Sequence, residues 1–230
     1  ANSVYVLELG PTSADEGITA LGVWLTANPL TVYSFLVPRS WDSVAAFLAL
    51  IALYEAPTAM TYFWVTTTTG TYTSYTALMK DVVALIEAPT VVTTATTEFS
   101  LAGPFYHSLI YNPSPTNRVA PFAFSYVYGV TAYPTIGTQA LLATLKTAAI
   151  NVIGSGAEGG ISNTLIYWGT TKDARDFTYW FSVDYTQIYA KINLTNEVIN
   201  GANNPVNPLY YNQDGINRLQ ARLAQQMTSE

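Results

Sequence analysis

The sequence predicts a mixed α/β chain. A parallel-sheet βαβαβαβ unit covers residues 1–97, and an α+β portion with a β-hairpin, a long helix and a C-terminal helix covers 98–230 and packs on it, as a second domain or as a continuation of the first. Three observations lead there. Strand-type and helix-type runs alternate through the first part. A glycine-rich stretch separates two β-type runs near residue 157. From Asp173 onward, aromatic and aliphatic residues recur at helical spacing.

The first unit opens on a strand, "SVYVLEL" (Ser3–Leu9). The helix after it, "SADEGITALGVWLTA", carries a capping box in Ser13 and Glu16. Ile18, Leu21 and Leu25 share one face, and Pro29 ends it. Val32–Val37 reads as a second strand. Ser40 is placed to cap a helix running through Tyr54 to Pro57, apolar nearly all round and therefore buried. Thr61–Thr68 is a third strand. Ser74 precedes a helix whose Leu78, Val82, Leu85 and Ile86 form a stripe, with Lys80, Asp81 and Glu87 off it; Pro89 stops it. Thr90–Thr96 is a fourth strand. Helices of this length between strands imply right-handed crossovers and parallel pairing.

Beyond residue 97 the pattern loosens. "NPSPTNR" (Asn112–Arg118) is a turn-rich connection, and "APFAFSYVYGVTAY" reads as a helix buried by its aromatics. Thr138–Ala149 is a helix. "INVI" and "TLIYWGTT" are strands around the glycines. A long helix from Asp173 to about Asn200 places Phe177, Phe181, Ile188, Ile192 and Ile199 on one face, and Asn200 and Gly201 end it. After a two-proline loop, a last helix from about Gln213 buries Ile216, Leu219, Leu223 and Met227.

Composition narrows the function. Of 230 residues, 50% are hydrophobic and only 10% charged, against about 25% charged in ordinary soluble domains. A neutral, hydroxyl-rich surface fits coverage by partner subunits; it also fits a secreted protein. The net charge is −6 and no basic cluster occurs, so neither nucleic acid nor an anionic membrane is an expected partner. The absence of cysteine removes disulfides and thiolate chemistry. The most apolar run, Val44–Tyr54, is short of the roughly 20 residues that span a bilayer. No signal peptide is expected at the start. Beginning at Ala1, the chain reads as processed or as part of something longer.

Each motif has a structural reading that competes with a chemical one. Gly154, Gly156 and Gly159 spell the G-x-G-x-x-G of dinucleotide sites, which needs a helix directly after it to hold the pyrophosphate. Here "ISNTLIYWG" follows, a β-type run, so the glycines are expected to serve a hairpin turn with positive φ. His107 is the sole histidine, with no G-x-S-x-G elbow to accompany it, and is expected to be held by backbone. Asp173, Arg175 and Asp176 could act as acid and base, but are expected to answer the helix dipole and pair among themselves. Asn193-Leu194-Thr195 spells a glycosylation sequon inside the long helix and is expected to be unused.

The segment from Gly159 to Leu223 resembles sheath-type proteins of contractile phage tails and the related phage tail proteins of uncertain function. There a hairpin leads to a "WG" turn, a polar stretch with Asp and Arg, a long helix, a proline loop and a shorter helix. The matching residues are Trp168, Gly169, Asp173, Arg175, Trp180, Pro205, Pro208, Gly215, Ile216 and Leu219. "YVLELG", "YSFLVPRSWD" and "YFWVTT" are similar to strands of the central domain of those proteins.

The resemblance implies a structural virion protein, found in the tail and assembled in the host cytoplasm. Its partners would be copies of itself and the tail tube. Trp168, Gly169, Asp173, Arg175 and Trp180 would serve structure and assembly, with no catalytic residue, cofactor or metal. Family members usually add strands after the last helix and an arm before the first strand, which pair with neighbouring subunits. This chain reads as a core without them and is expected to be monomeric when dilute. The alternatives are a secreted or tail-tip module whose aromatics stack on sugars, and an α/β hydrolase-like enzyme using His107 or the Asp173 cluster.

Overall fold

A computed structural model describes residues 5–10, 13–75, 80–88, 98–110, 121–134, 139–158 and 161–229. Among them a three-stranded parallel sheet carries the N-terminal architecture. Its strands are β1 (Ser34–Leu36), β2 (Tyr62–Thr67) and β3 (Val82–Ile86), in that spatial order. The register places Phe35 opposite Phe63 and Trp64 opposite Val83. On the far side of β3, Leu85 bridges Asn151 in parallel.

Helix α1 (Ala14–Ala27) starts as its capping box requires. The Ser13 hydroxyl accepts from the Glu16 amide at 3.4 Å and donates to the Glu16 carboxylate at 2.8 Å. Ile18, Leu21 and Leu25 are its buried face, and Asn28 caps it before Pro29. The region expected to form one long helix from Ser40 is instead a 3-10 turn, Arg39–Trp41, then a short α2 (Ala45–Ile51). Ser40 lies inside that turn, and Val44 occupies the N-cap without a side-chain bond.

Strand β3 corrects the expected helix after Ser74. Val82, Val83, Ala84, Leu85 and Ile86 are all buried. A strand flanked on both edges and covered on both faces is a continuous apolar run, which periodicity does not separate from a buried helix. Lys80, Asp81 and Glu87, expected on a solvated face, are buried with it. Leu78 and the fourth expected strand, Thr90–Thr96, lie outside the described residues, as do the connection 112–118 and the expected boundary at residue 97. Tyr5–Leu9 is not a strand, and Tyr5 and Val6 are exposed.

Side chains alternate across β2. Phe63 and Val65 join the core with Ile18, Leu21, Trp41, Phe47 and Ile51. Tyr62 and Trp64 face the other way into an aromatic cluster. There the Trp64 ring meets Phe105 of α3 (Ala102–Ile110), Phe122 and Phe177, with centroids 5.7, 5.6 and 5.0 Å away.

Helix α4 (Gln139–Thr147) leads through Asn151 into the antiparallel hairpin of β4 (Val152–Glu158) and β5 (Ile161–Tyr167). The stretch expected as an aromatic helix is instead an irregular run of turns, with a bridge from Tyr126 to Leu165 of β5. Phe124 and Val127 donate their amides to Ile166 and Thr164 of β5, and Tyr133 donates to Ile153 of β4. Phe122 and Val127 are buried while Phe124, Tyr126 and Tyr128 are exposed, and the chain turns at Phe124, whose backbone is left-handed with φ of 63°.

Two compact units emerge, Ala1–Ile110 with Ala120–Thr178, and Tyr111–Val119 with Tyr179–Glu230. The division falls inside α5 (Phe177–Asn203). In the second unit, α5 and α6 (Gln213–Ser229) are tied by polar contacts. Arg218 Nε donates to Glu197 at 2.6 Å, and the Asn193 amide donates to Gln226 at 2.7 Å. Helix α5 does not stop at Gly201. That residue is helical and lets the connecting loop approach, since a Cβ there would lie 2.4 Å from Leu209 Cβ.

Candidate functional site

The glycine stretch settles first. Gly154 and Gly156 are not turn residues with positive φ, as expected, but extended residues within β4. A Cβ on Gly154 would lie 2.2 Å from the Tyr167 ring, and one on Gly156 would lie 2.8 Å from Leu165. The glycines are seats for side chains of the neighbouring strand. The expected pairing of the two β-type runs stands and closes at Glu158 and Ile161, while Gly159 and Gly160 lie outside the described residues.

The "WG" residues follow directly. Trp168 and Gly169 both take left-handed backbone, with φ of 70° and 59°. A side chain on Gly169 would strike the backbone of Phe122 and Ala123, so this position requires glycine. Its carbonyl accepts from the Phe177 amide at 3.0 Å.

The charged residues of the turn are engaged locally. Asp173 accepts from the Thr171 hydroxyl and from the Arg175 amide at 3.1 Å, and Arg175 Nε lies 3.9 Å from its carboxylate. Asp176 caps α5 by accepting from the Thr178 amide at 2.8 Å. Buried Asn151 anchors the turn from below. Its amide donates to the carbonyls of Ala84 and Thr170, and its oxygen accepts from the Thr170 amide at 2.8 Å. Trp168, Gly169, Asp173 and Arg175 thus share one turn that launches α5. Trp180 lies in the first turns of that helix, 8% exposed, with its ring edge-on to Tyr179.

In parallel sheets, ligands usually bind beyond the C-terminal strand ends. Here two polar networks occupy that end. Arg39 grips Glu87 with both prongs, at 2.8 and 3.1 Å, donates to the Glu98 carbonyl and lies over the Phe99 ring. Glu98 in turn accepts from the amide and hydroxyl of Thr131. In the second network, Asp42 accepts from Tyr75 at 2.9 Å and from Thr71. Burial raises the Asp42 carboxyl above the usual range despite these bonds, and raises the Tyr75 phenol as well. Sequence reading missed both networks, because 48 positions separate Arg39 from Glu87 and no spacing rule links them.

Two buried charges sit near the other end of β3. Neither Asp81 oxygen has a hydrogen-bond partner among the described residues. Burial, with a contribution from Glu55, pushes its pKa up to about 7 while Lys80 opposes the shift. Lys80 Nζ lies 3.2 Å from the Tyr62 hydroxyl. Lys172, lowered to about 8 by burial, donates to the Ala148 carbonyl just past the end of α4. His107 lies half-buried on α3, its ring 6.5 Å from Phe122. Among the described residues no group of acids, His or Cys is arranged to hold a metal, and no helix is long and apolar enough to cross a membrane.

What the fold leaves open is apolar. Ile188, Ile192 and Ile199 of α5 are 40%, 50% and 53% exposed, and Ile216 and Leu223 of α6 are exposed too. The expected α5 stripe exists, but the isoleucines are not buried within the chain. On the first unit, Phe124, Tyr126 and Tyr128 form an exposed row. The two tyrosine rings stack at 6.1 Å, beside a recess of about 420 Å³ lined by Tyr128, Thr131, Asn163 and Thr164. No protein-family model matches the chain, and no curated protein matches it with significant similarity.

Proposed function

We propose that the protein is a structural subunit of a contractile phage tail, a sheath-type protein or a close relative, and that it works by polymerising. The observation that carries this reading is the uncovered isoleucine stripe of α5. Monomeric proteins seldom expose a contiguous apolar face, and such faces usually mark interfaces. The α5 stripe places Phe181, Ile188, Ile192 and Ile199 on one side of the helix, while Asn193 and Glu197, which bond to α6, lie on the other.

The engagement of the charged groups supports the same reading. Arg39, Glu87, Asp42, Asp173 and Arg175 bond to neighbours in the chain. On this reading the work is mechanical, the partners are further copies and the tail tube, and the place is the virion. Trp168, Gly169, Asp173, Arg175 and Trp180 serve assembly indirectly, by fixing how α5 begins. Negative-stain electron microscopy of concentrated protein tests this: ordered rings, fibres or tubes are expected, and uniformly dispersed single particles would oppose it.

One observation favours a second reading. The stacked Tyr126 and Tyr128 beside a recess lined by threonine and asparagine suit a neutral saccharide, whose C–H faces stack on aromatic rings. Calorimetric titration with neutral oligosaccharides decides it, since saturable heat lost in Tyr128→Ala would favour this use of the recess.

A further inference from the structure

We propose that copies join head to tail, the isoleucine stripe of α5 in one copy packing on the Phe124–Tyr126–Tyr128 row of the next. This rests on the self-assembly reading and specifies its contact. Both faces are exposed in the chain, and both are built of uncharged side chains. The stripe is short, since Ile188 to Ile199 spans about 16 Å of helix.

Their margins are complementary in charge. Exposed Lys191 sits beside Ile192 without an ion-pair partner among the described residues. The Glu98 carboxylate sits beside the row, held by Thr131, which lines the recess next to Tyr128.

Because the two faces differ, the contact is heterologous. Each copy keeps one unused face at either end, so growth continues until a ring closes or a filament forms. A contact made by side chains alone, of this limited length, belongs to the weak class, visible at high concentration.

Two variants test it, Ile192→Asp in the stripe and Tyr126→Asp in the row, with circular dichroism and thermal unfolding confirming that each folds. By sedimentation velocity at millimolar concentration, each alone is expected to stay monomeric. Their equimolar mixture is expected to form a 1:1 dimer and nothing larger, because only one intact stripe–row pair remains. A second pair, Ile188→Lys and Tyr128→Lys, repeats the test if either first variant fails to fold. If the row variant alone dimerises, the stripe pairs with itself and the proposal is overturned. It is also overturned if the mixture stays monomeric while the unaltered chain associates. Unchanged association in Tyr126→Asp together with lost oligosaccharide binding would assign the row to saccharide. If the unaltered chain does not associate at any concentration, the assembly reading itself fails.

Discussion

The ring of Tyr167 occupies the space a side chain on Gly154 would fill, with its Cε2 atom 2.2 Å from the position of a Cβ. The two residues face each other diagonally across the β4–β5 hairpin, where Gly154 pairs with Leu165 and Val152 pairs with Tyr167. Gly154→Ala therefore overpacks the hairpin and should lower stability by about 1–3 kcal/mol. The loss should shrink when Tyr167→Ala is added, because the clashing ring is gone. Urea unfolding of the two single variants and the double variant measures this. Equal losses with and without Tyr167 would disprove the contact. The same geometry makes Gly154 and Gly156 seats for strand side chains and not a pyrophosphate loop, so titration with NAD, FAD or ATP should give no saturable heat.

Arg39 and Glu87 form a two-pronged ion pair whose acid side chain is 1% exposed and whose arginine side chain is 14% exposed. Removing one partner strands the other. Arg39→Ala should cost about 3–5 kcal/mol, the range for breaking buried pairs. Arg39→Met combined with Glu87→Gln should cost less than the single change, since no buried charge is then left alone. Denaturant midpoints for both variants check the order, and a smaller loss for the single variant would contradict the account.

Asp81 makes stability depend on pH in an unusual direction. Its folded pKa, pushed up to about 7 chiefly by burial, lies above the ordinary carboxyl value of 3.8. Between those values the folded chain holds the proton more tightly than the unfolded one. The contribution of Asp81 to stability is thus largest below about pH 4, falls as pH rises, and levels off above 7. The slope approaches about 1.4 kcal/mol per pH unit at most. Asp81→Asn should remove this slope and raise stability at pH 8 relative to the unaltered chain. Parallel unfolding series at pH 5 and pH 8 test it, and an identical pH dependence in the two proteins would refute it.

Phe177, not Phe181, is the buried aromatic at the start of α5. It is wholly buried, with centroids 5.3 Å from Tyr62 and 5.0 Å from Trp64, whereas Phe181 is only half-buried. Phe177→Ala should cost about 3–5 kcal/mol, and more than Phe181→Ala. Thermal or urea unfolding of the pair gives the ranking, and the reverse order would mean that the aromatic cluster around Trp64 does not hold Phe177.

These particulars show what the sequence conveys and what it does not. The capping box of Ser13 and Glu16, strand β2, the hairpin and the two C-terminal helices are legible because each is decided by local chemistry or a clear period. Strand β3 is not, since Val82–Ile86 is apolar throughout and its flanking Lys80, Asp81 and Glu87 look like a solvated face until tertiary contacts bury them. The segment around Phe124 reads as helix because its aromatics suggest burial, while hydrogen bonds to β5 hold it in turns against that strand. Tyr5–Leu9 is rich in strand-forming residues, but local composition does not name a pairing partner. The period of Ile188, Ile192 and Ile199 identifies an apolar side of α5 without saying what covers it. The Arg39–Glu87 pair joins distant positions and leaves no local trace.

The proposal that the chain works by polymerising meets its most direct test in sedimentation velocity over a concentration series, from micromolar to millimolar. The account expects a monomer at the dilute end and a weight-average sedimentation coefficient that rises with concentration past the dimer value, a rise abolished by Ile192→Asp. A coefficient that stays at the monomer value throughout, or settles at that of a dimer, would contradict it.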